Sequence, residues 1–347
     1  MSDLQTENLR RIRVDQVGGL LAPQPLQDVL ARHKTKEASD EELEQAKDRA
    51  IRHLVGKQES IGLPVLTDGE LRRRNFQESF GAAVTGFDVA EEDRAMEGVS
   101  TQPLSRAEQN FSAPGPAIIT RRRTVERLQL VRNVPLEEYR LTSQMTTRPV
   151  KVTLLSPDRI CQRFAWEESG EVYADMDAFL ADVIAIERKM IGEMVEAGCR
   201  YIQIDAPSYT AYVDQVSLDR MRARGENPDK NLERSIEADN AIIQGFDETT
   251  FGIHLCRGNP RTVDPGTGKV MPQWHREGHY DAIAERLFAS LNHHRLLQPD
   301  LRARHGRCRG RHPRTLARGP RRSDPAGHGG RRCGAGRGAH GGGAAGP

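Results

Sequence analysis

Two side chains able to hold a metal stand two residues apart near the end of an apolar run: His254 and Cys256, in Thr250-Phe251-Gly252-Ile253-His254-Leu255-Cys256. Side chains alternate along a strand, so an extended backbone turns this imidazole and thiol to the same side. Both groups suit zinc. At the C-terminal end of a buried strand they would grip one ion from a rigid base. Two ligands do not hold zinc alone, and a strand-end histidine beside a structural cysteine is the plainer account. The rest of the chain has to decide between the two.

The elements that would position this pair alternate between strand and helix, the pattern of an α/β fold with a parallel sheet. Val14 to Leu21 reads as a first strand and loop. Asp40 to Gly62 is predicted helical, because Leu43, Ala46, Ala50, Leu54 and Val55 recur at helical spacing, with Asp40 as N-cap. Leu63 to Glu70 reads as a short buried strand ending in an acidic loop, and Pro149 to Leu155 as another strand. Asp177 to Ala197 is predicted helical, followed by the strand Tyr201-Ile202-Gln203-Ile204-Asp205. Leu232 to Phe246 and Ala282 to Asn292 are further helices, the second leading to a strand near Leu296 that never properly arrives. Residues of about 80–148 are polar and aperiodic and read as an insertion. Strand after strand ends in a chemically capable residue: Glu70, Ser156, Asp205, His254, Cys256. A (β/α)8 barrel carries its chemistry on that rim. A doubly wound sheet does so too, but no glycine-rich nucleotide fingerprint follows the first strand.

With 347 residues the chain can bury one large core or two modest ones. No apolar run approaches the roughly 20 residues that span a bilayer. The N-terminal residues carry no export signal, and five scattered cysteines form no disulfide framework, so a cytoplasmic protein with reduced thiols is expected. The net charge of +2 hides an asymmetry. From Leu301 onward the chain is mostly Arg, Gly, Ala, Pro and His, with Asp324 as its single acid. Such a segment buries too little apolar surface to offset its ordering entropy.

Three segments resemble the catalytic domain of the cobalamin-independent methionine synthase family. They are Leu66-Thr67-Asp68-Gly69-Glu70-Leu71-Arg72-Arg73, Tyr201-Ile202-Gln203-Ile204-Asp205-Ala206-Pro207 and His254-Leu255-Cys256-Arg257-Gly258-Asn259. Arg13 to Leu21 is similar to the family's first strand, and the likeness covers about residues 10 to 295. It is nearest to the short, single-barrel members. The resemblance implies a zinc ion that binds the substrate thiol, with His254 and Cys256 as two of its protein ligands. Zinc ionises a thiol at neutral pH, whereas a free alkyl thiol with a pKa near ~8.5 is only slightly ionised. It also implies that Glu70 and Asp205 grip the amino group of homocysteine, and that the Gly18-Gly19 backbone meets the substrate carboxylate. Family members usually carry Ser at the position of Gly19 and often His at that of Gln16. Trp166 either stacks on a flat pterin donor or simply packs, and Arg121 to Arg123 either meet a polyglutamate tail or form a solvated basic face. Cys161 and Cys199 fit buried, inert thiols.

The family completes its zinc site with a Glu on the next strand and a Cys near the end of the barrel. Here the next strand reads His293-His294-Arg295-Leu296-Leu297 and runs into Gln298-Pro299-Asp300, without that acid. Cys308 and Cys333 lie between arginines and glycines and are not assigned as ligands. The change after Leu297 has the composition of a shifted reading frame in a GC-rich gene. The expected organisation is therefore a TIM barrel over residues 1–297, incomplete at its C-terminal end and with open strand edges, followed by a disordered or aberrant Arg/Gly-rich tail over 298–347.

The function this implies is zinc-dependent transfer of a methyl group from 5-methyltetrahydrofolate (polyglutamate) to homocysteine. No general acid is assigned for the leaving nitrogen. A related zinc-dependent alkyltransferase with another thiol or alkyl donor stays open, as does a metal-free lyase of the uroporphyrinogen-decarboxylase kind. The tail lacks aromatic residues for base stacking, so no nucleic-acid partner is expected.

Overall fold

The computed structural model describes residues 9–73, 78–88, 122–162, 164–165, 168–256, 261–263, 270–272 and 278–297. The chain divides into two units, 1–305 and 306–347, and every described residue belongs to the first.

Helices α1 (Gln24–Lys34), α2 (Asp40–Ser60) and α3 (Glu78–Gly81) come first, followed by an antiparallel ribbon of β1 (Val84–Phe87) and β2 (Thr124–Leu130). Next are α4 (Val134–Ser143), β3 (Lys151–Leu155), α5 (Pro157–Cys161), α6 (Met176–Glu196) and β4 (Tyr201–Asp205). A 3-10 turn (Pro207–Tyr212), α7 (Gln215–Ala223), α8 (Pro228–Ile243) and β5 (Thr250–His254) continue the chain. A small ribbon of β6 (Arg261–Val263) and β7 (Val270–Pro272) precedes α9 (Asp281–Ser290) and β8 (Arg295–Leu297).

Strands β3, β4, β5 and β8 lie side by side in that order, all parallel, with Leu155 beside Asp205, Asp205 beside His254, and His254 beside Leu297. A parallel bridge between Leu66 and Val150 adds one more strand position next to β3. Each neighbouring pair is joined through a helix, as parallel pairing requires. The outward side chains Val152, Leu154, Ile202, Ile204 and Phe251 pack against Phe179, Val183, Met190 and Met194 of α6 and Ile242 of α8. Every residue of β3, β4 and β5 is buried, the pattern of a parallel sheet covered on both faces. Alternation puts Lys151, Thr153, Tyr201, Gln203, Asp205, His254 and Arg295 on the other face, which is polar.

The described residues thus form an α/β fold with a parallel sheet. A closed ring of strands is not formed among them. The segment predicted as a first strand, Val14 to Leu21, is not a strand. Its backbone carbonyls are taken by side chains instead: Gln203 Nε2 donates to Val17 O and Lys151 Nζ to Gln16 O. At its start, Arg295 donates to Ile12 O at 2.8 Å and to Arg10 O at 3.2 Å. The N-cap of α2 is Ser39 rather than Asp40, its hydroxyl accepting the Glu42 N–H at 3.1 Å. Asp40, Glu41 and Glu42 then suit the positive helix start. The strand near Leu296 does arrive, as three residues paired with β5. From the stretch read as aperiodic come β1, β2 and α4, with Val84, Leu128 and Leu136 in the main core. No helix among the described residues is long and apolar enough to cross a membrane.

Candidate functional site at the strand ends

Two corners make up the polar end of the sheet. The first is built by the turn Thr67-Asp68-Gly69-Glu70. Gly69 (φ +72°) and Glu70 (φ +57°) are both left-handed, a conformation that costs a non-glycine residue roughly 1–2 kcal/mol. The turn is closed by Asp68 Oδ1, which accepts the Glu70 N–H at 2.9 Å, and by Thr67 Oγ1, which accepts the Gly69 N–H at 3.1 Å. Glu70 is thereby swung inward, where its Oε1 accepts from the Thr153 hydroxyl at 2.7 Å. Gly18 and Gly19 lie directly against it. A Cβ on Gly18 would stand 2.5 Å from Glu70 Oε1, and one on Gly19 3.4 Å from Oε2. The Leu20 N–H donates to Gly69 O at 2.9 Å and docks the glycine segment onto the turn. Burial raises the Glu70 pKa, with Arg73 opposing and the charge of Asp205 adding to the rise.

The second corner is the end of β4 and β5. Asp205 Oδ1 accepts from Gln203 Nε2 at 2.6 Å and lies 3.1 Å from His254 Nδ1. His254 is buried. Burial disfavours the charged ring, but Asp205 and the neighbouring Cys256 outweigh it and lift the His254 pKa to about 9. Cys256 follows just beyond the strand and is half-buried. A carboxylate beside an imidazole suits a charged ring and is also a common partner of a metal-binding histidine. His254 and Cys256 supply donor types that zinc takes, two where a catalytic site needs three. Among the described residues no group of three or more His, Cys, Asp or Glu side chains is arranged to hold one.

Glu70 with Gly18 and Gly19, and Asp205 with His254 and Cys256, are thus brought together as two clusters whose acids feel each other's charge. Gln16 points elsewhere, donating to Gln58 Oε1 at 2.8 Å and Val65 O at 3.0 Å beneath α2. Arg122 and Arg123 face Asp88 at 3.9 and 3.5 Å. Cys161 and Cys199 are buried, and burial pushes the Cys199 thiol up to about 12. Arg121, Trp166, Cys308 and Cys333 lie outside the described residues.

Sequence reasoning missed Lys151, Gln203, Thr153 and Arg73 as parts of the site. Lys151 Nζ is buried between Asp15 Oδ1 (2.9 Å) and Gln203 Oε1 (2.7 Å). Arg73 donates to Thr153 Oγ1 at 2.9 Å. The signal was present: polar residues at period two, Lys151, Thr153 and Gln203, inside strands otherwise apolar.

Residues 22–260 match the family described as "Cobalamin-independent synthase, Catalytic domain". Among curated proteins the chain is 27% identical over 292 residues to the uncharacterized protein YxjH of Bacillus subtilis, covering 83% of this chain and 71% of that one. It is 28% identical to YxjG of the same organism, over 81% of this chain and 68% of that one. It is 25% identical to a methionine synthase of Sulfurisphaera tokodaii, over 73% of this chain and 64% of that one. Among solved structures, a putative vitamin-B12 independent methionine synthase from Listeria monocytogenes shares the fold. The TM-score is 0.54 at 19% identity, covering 72% of this chain and 66% of that one.

Proposed function

The chain belongs to the cobalamin-independent synthase catalytic-domain family, and from that membership we propose that it is built for S-methyl transfer from 5-methyltetrahydrofolate, as its polyglutamate, to homocysteine. The observation that supports this reading is the Asp205–His254 pair set beside Cys256, with Asp205 close enough for its charge to act on Glu70. In this reading residues 1–297 belong to a barrel of the (β/α)8 type that works in the cytoplasm, with 298–347 as an appendage. His254 and Cys256 would hold zinc, which when bound favours the thiolate form of the substrate at neutral pH.

The remaining work falls to the chain's own groups. Glu70 and Asp205 present two carboxylates to the homocysteine ammonium, a charge-assisted contact that neither could make as well alone. Thr153 holds one Glu70 oxygen and leaves the other, Oε2, toward Gly19. The Gly18-Gly19 backbone supplies N–H groups for the amino-acid carboxylate. In the transfer the sulfur forms a bond to the methyl carbon, the methyl–nitrogen bond breaks, and the folate nitrogen takes a proton. Fixing sulfur and methyl carbon in line is where positioned carboxylates lower the barrier.

The test pairs metal content with product. The purified chain should contain zinc that is reduced in His254→Ala and Cys256→Ser, and should form methionine from homocysteine and the methylated folate. Zinc content indifferent to both substitutions, or methyl transfer indifferent to a chelator, would overturn the reading.

A further inference from the structure

We propose that His294 is a proton-operated latch: its neutral imidazole fastens β8 to β5, and a proton on Nδ1 releases β8 together with the hold of Arg295 on Leu9, Arg10 and Ile12. The contact is a two-point clamp at the start of β8. The His294 N–H donates to Phe251 O at 2.9 Å, and the ring Nδ1 accepts the Phe251 N–H at 2.9 Å. Alternate residues of a parallel strand bond to its two neighbours. Thr250 is engaged on the β4 side, where its N–H donates to Arg200 O at 2.9 Å. Phe251 therefore serves β8, and the imidazole stands where a backbone carbonyl would otherwise accept. The exchange matters because a carbonyl accepts at any pH, whereas Nδ1 accepts only while it carries no hydrogen. A proton there sets donor against donor and breaks the clamp.

Little else fastens this strand. It pairs with β5 over Arg295 to Leu297, and at its far end the Leu255 N–H donates to Leu297 O at 2.9 Å. Leu297 fits over Gly252, where a Cβ would stand 2.7 Å from Leu297 Cδ1. The surroundings favour the neutral ring. Beside it on the same segment, His293 has both ring nitrogens shut off from solvent and without a hydrogen-bond partner. Arg10 of the N-terminal residues, held at Asp247 O at 2.7 Å, opposes a charge on His294, and Asp247, between α8 and β5, favours one. Phe251 is uncharged, and Arg295 directs its guanidinium to Tyr201 and to the N-terminal carbonyls. Burial is the largest effect and takes the His294 pKa down to about 4; burial and the charge of His294 take His293 to about 3. Once β8 detaches, each ring returns to its ordinary pKa of about 6.5, so the detached form binds more protons. The clamp is therefore complete above about pH 6.5 and weakens as pH falls from there toward 4.

The test is amide hydrogen exchange on the full chain at pH 8 and pH 5, with each rate divided by its intrinsic rate at that pH. Protection at the Phe251, His294 and Leu255 amides should fall at least about 30-fold at pH 5, the factor expected for one shielded imidazole. Amides of β4 should change much less. His294→Asn places Oδ1 where Nδ1 stood, an acceptor at every pH, and should remove about 30-fold of that loss. His293→Phe/His294→Asn should remove the rest. A 15N titration of the parent's histidines supplies a reading that needs no variant, with the His294 ring still neutral at pH 5.5. Equal protection at both pH values in the parent, or an undiminished loss in His294→Asn, would overturn the proposal. So would loss at Phe251 with Leu255 unmoved, which is a frayed end rather than a released strand, or equal loss in β4, which is general unfolding. A His294 ring that titrates at or above 6.5 in the folded parent would overturn it as well.

Discussion

Arg73 closes on Glu138 with two hydrogen bonds, 2.8 Å from Nε and 2.6 Å from a terminal nitrogen, and both side chains are buried. The same guanidinium donates to the hydroxyl and the carbonyl of Thr153, each at 2.9 Å, and the hydroxyl passes on to Glu70. One cation thus ties α4 to β3 and braces the Glu70 corner. Breaking a buried pair strands its partner's charge, which costs about 3–5 kcal/mol. Arg73→Met should lose that much stability in urea titration, and Arg73→Met/Glu138→Met should regain most of it. Equal losses in both would show that the pair is not what holds α4.

Gly18 and Gly19 should answer differently to the same added methyl group. At Gly18 the Cβ meets a carboxylate oxygen at 2.5 Å with φ +151°, whereas at Gly19 the nearest atom is 3.4 Å away. Gly18→Ala is expected to displace Glu70 and raise the KM for homocysteine about tenfold, equivalent to ~1.4 kcal/mol of binding. Gly19→Ala should stay within about twofold, since ordinary contact distance carries little strain. Steady-state kinetics on the two variants checks the contrast, and equal effects would remove Glu70 from the explanation.

In the proposed reading Glu70 and Asp205 both meet the substrate ammonium, and of the two it is Asp205 that pairs with His254, whereas Glu70 accepts from Thr153. Glu70→Gln should raise the KM for homocysteine and leave Zn2+ affinity unchanged. Asp205→Asn should disturb both, because it alters a hydrogen bond to a ligand as well as a substrate charge. A chelator competition assay beside the kinetics separates the two. Loss of metal in Glu70→Gln would contradict the division of labour.

Behind the sheet, Glu187 of α6 is fully buried with neither carboxylate oxygen hydrogen-bonded. Burial holds its pKa well above the usual carboxylate range, and the charge of Asp239 adds to this. Burial also raises Asp239 to about 7, despite hydrogen bonds from Tyr209 and Ser156 that pull it down. Both acids bind their protons more tightly in the folded chain than in the unfolded one. Their contribution to stability is therefore fullest below the ordinary carboxylate pKa of about 4. It falls as pH rises toward 7 and beyond, by up to ~1.4 kcal/mol per pH unit for each acid. Glu187→Gln should melt near the parent at pH 5 and several degrees above it at pH 8, at about 2–4 °C per kcal/mol. A melting curve with the same pH slope as the parent would rule Glu187 out as its source.

The strands were legible in the sequence because parallel strands buried on both faces leave near-continuous apolar runs. Tyr201 to Asp205 is found as read, and Pro149 to Leu155 is found from Lys151. Alternation likewise fixes which side Asp205 and His254 share at the ends of their strands. What was lost follows from side chains that replace backbone pairing. Val14 to Leu21 carries a strand's composition, but Lys151 and Gln203 take its carbonyls before another strand can. The left-handed Glu70 was equally hidden, because nothing in its residue type announces a positive φ. The cap of α2 moved by one residue because Ser39 and Asp40 are both competent, and only the reach of a hydroxyl to the Glu42 N–H selects between them.

Arg295 has one further consequence, in the order of events during synthesis. Its guanidinium donates to the hydroxyl of Tyr201 and to the carbonyls of Leu9, Arg10 and Ile12, which lie more than 280 positions earlier in the chain. The ribosome delivers Leu9, Arg10 and Ile12 long before this clasp. Until Arg295 emerges, residues 9–12 lack the group that fastens them to the sheet, while helices α1 and α2 can already close on each other. Domains usually gain order from the N-terminus as they are made. Here residues made early, Leu9, Arg10 and Ile12, are secured only after Arg295 has followed them.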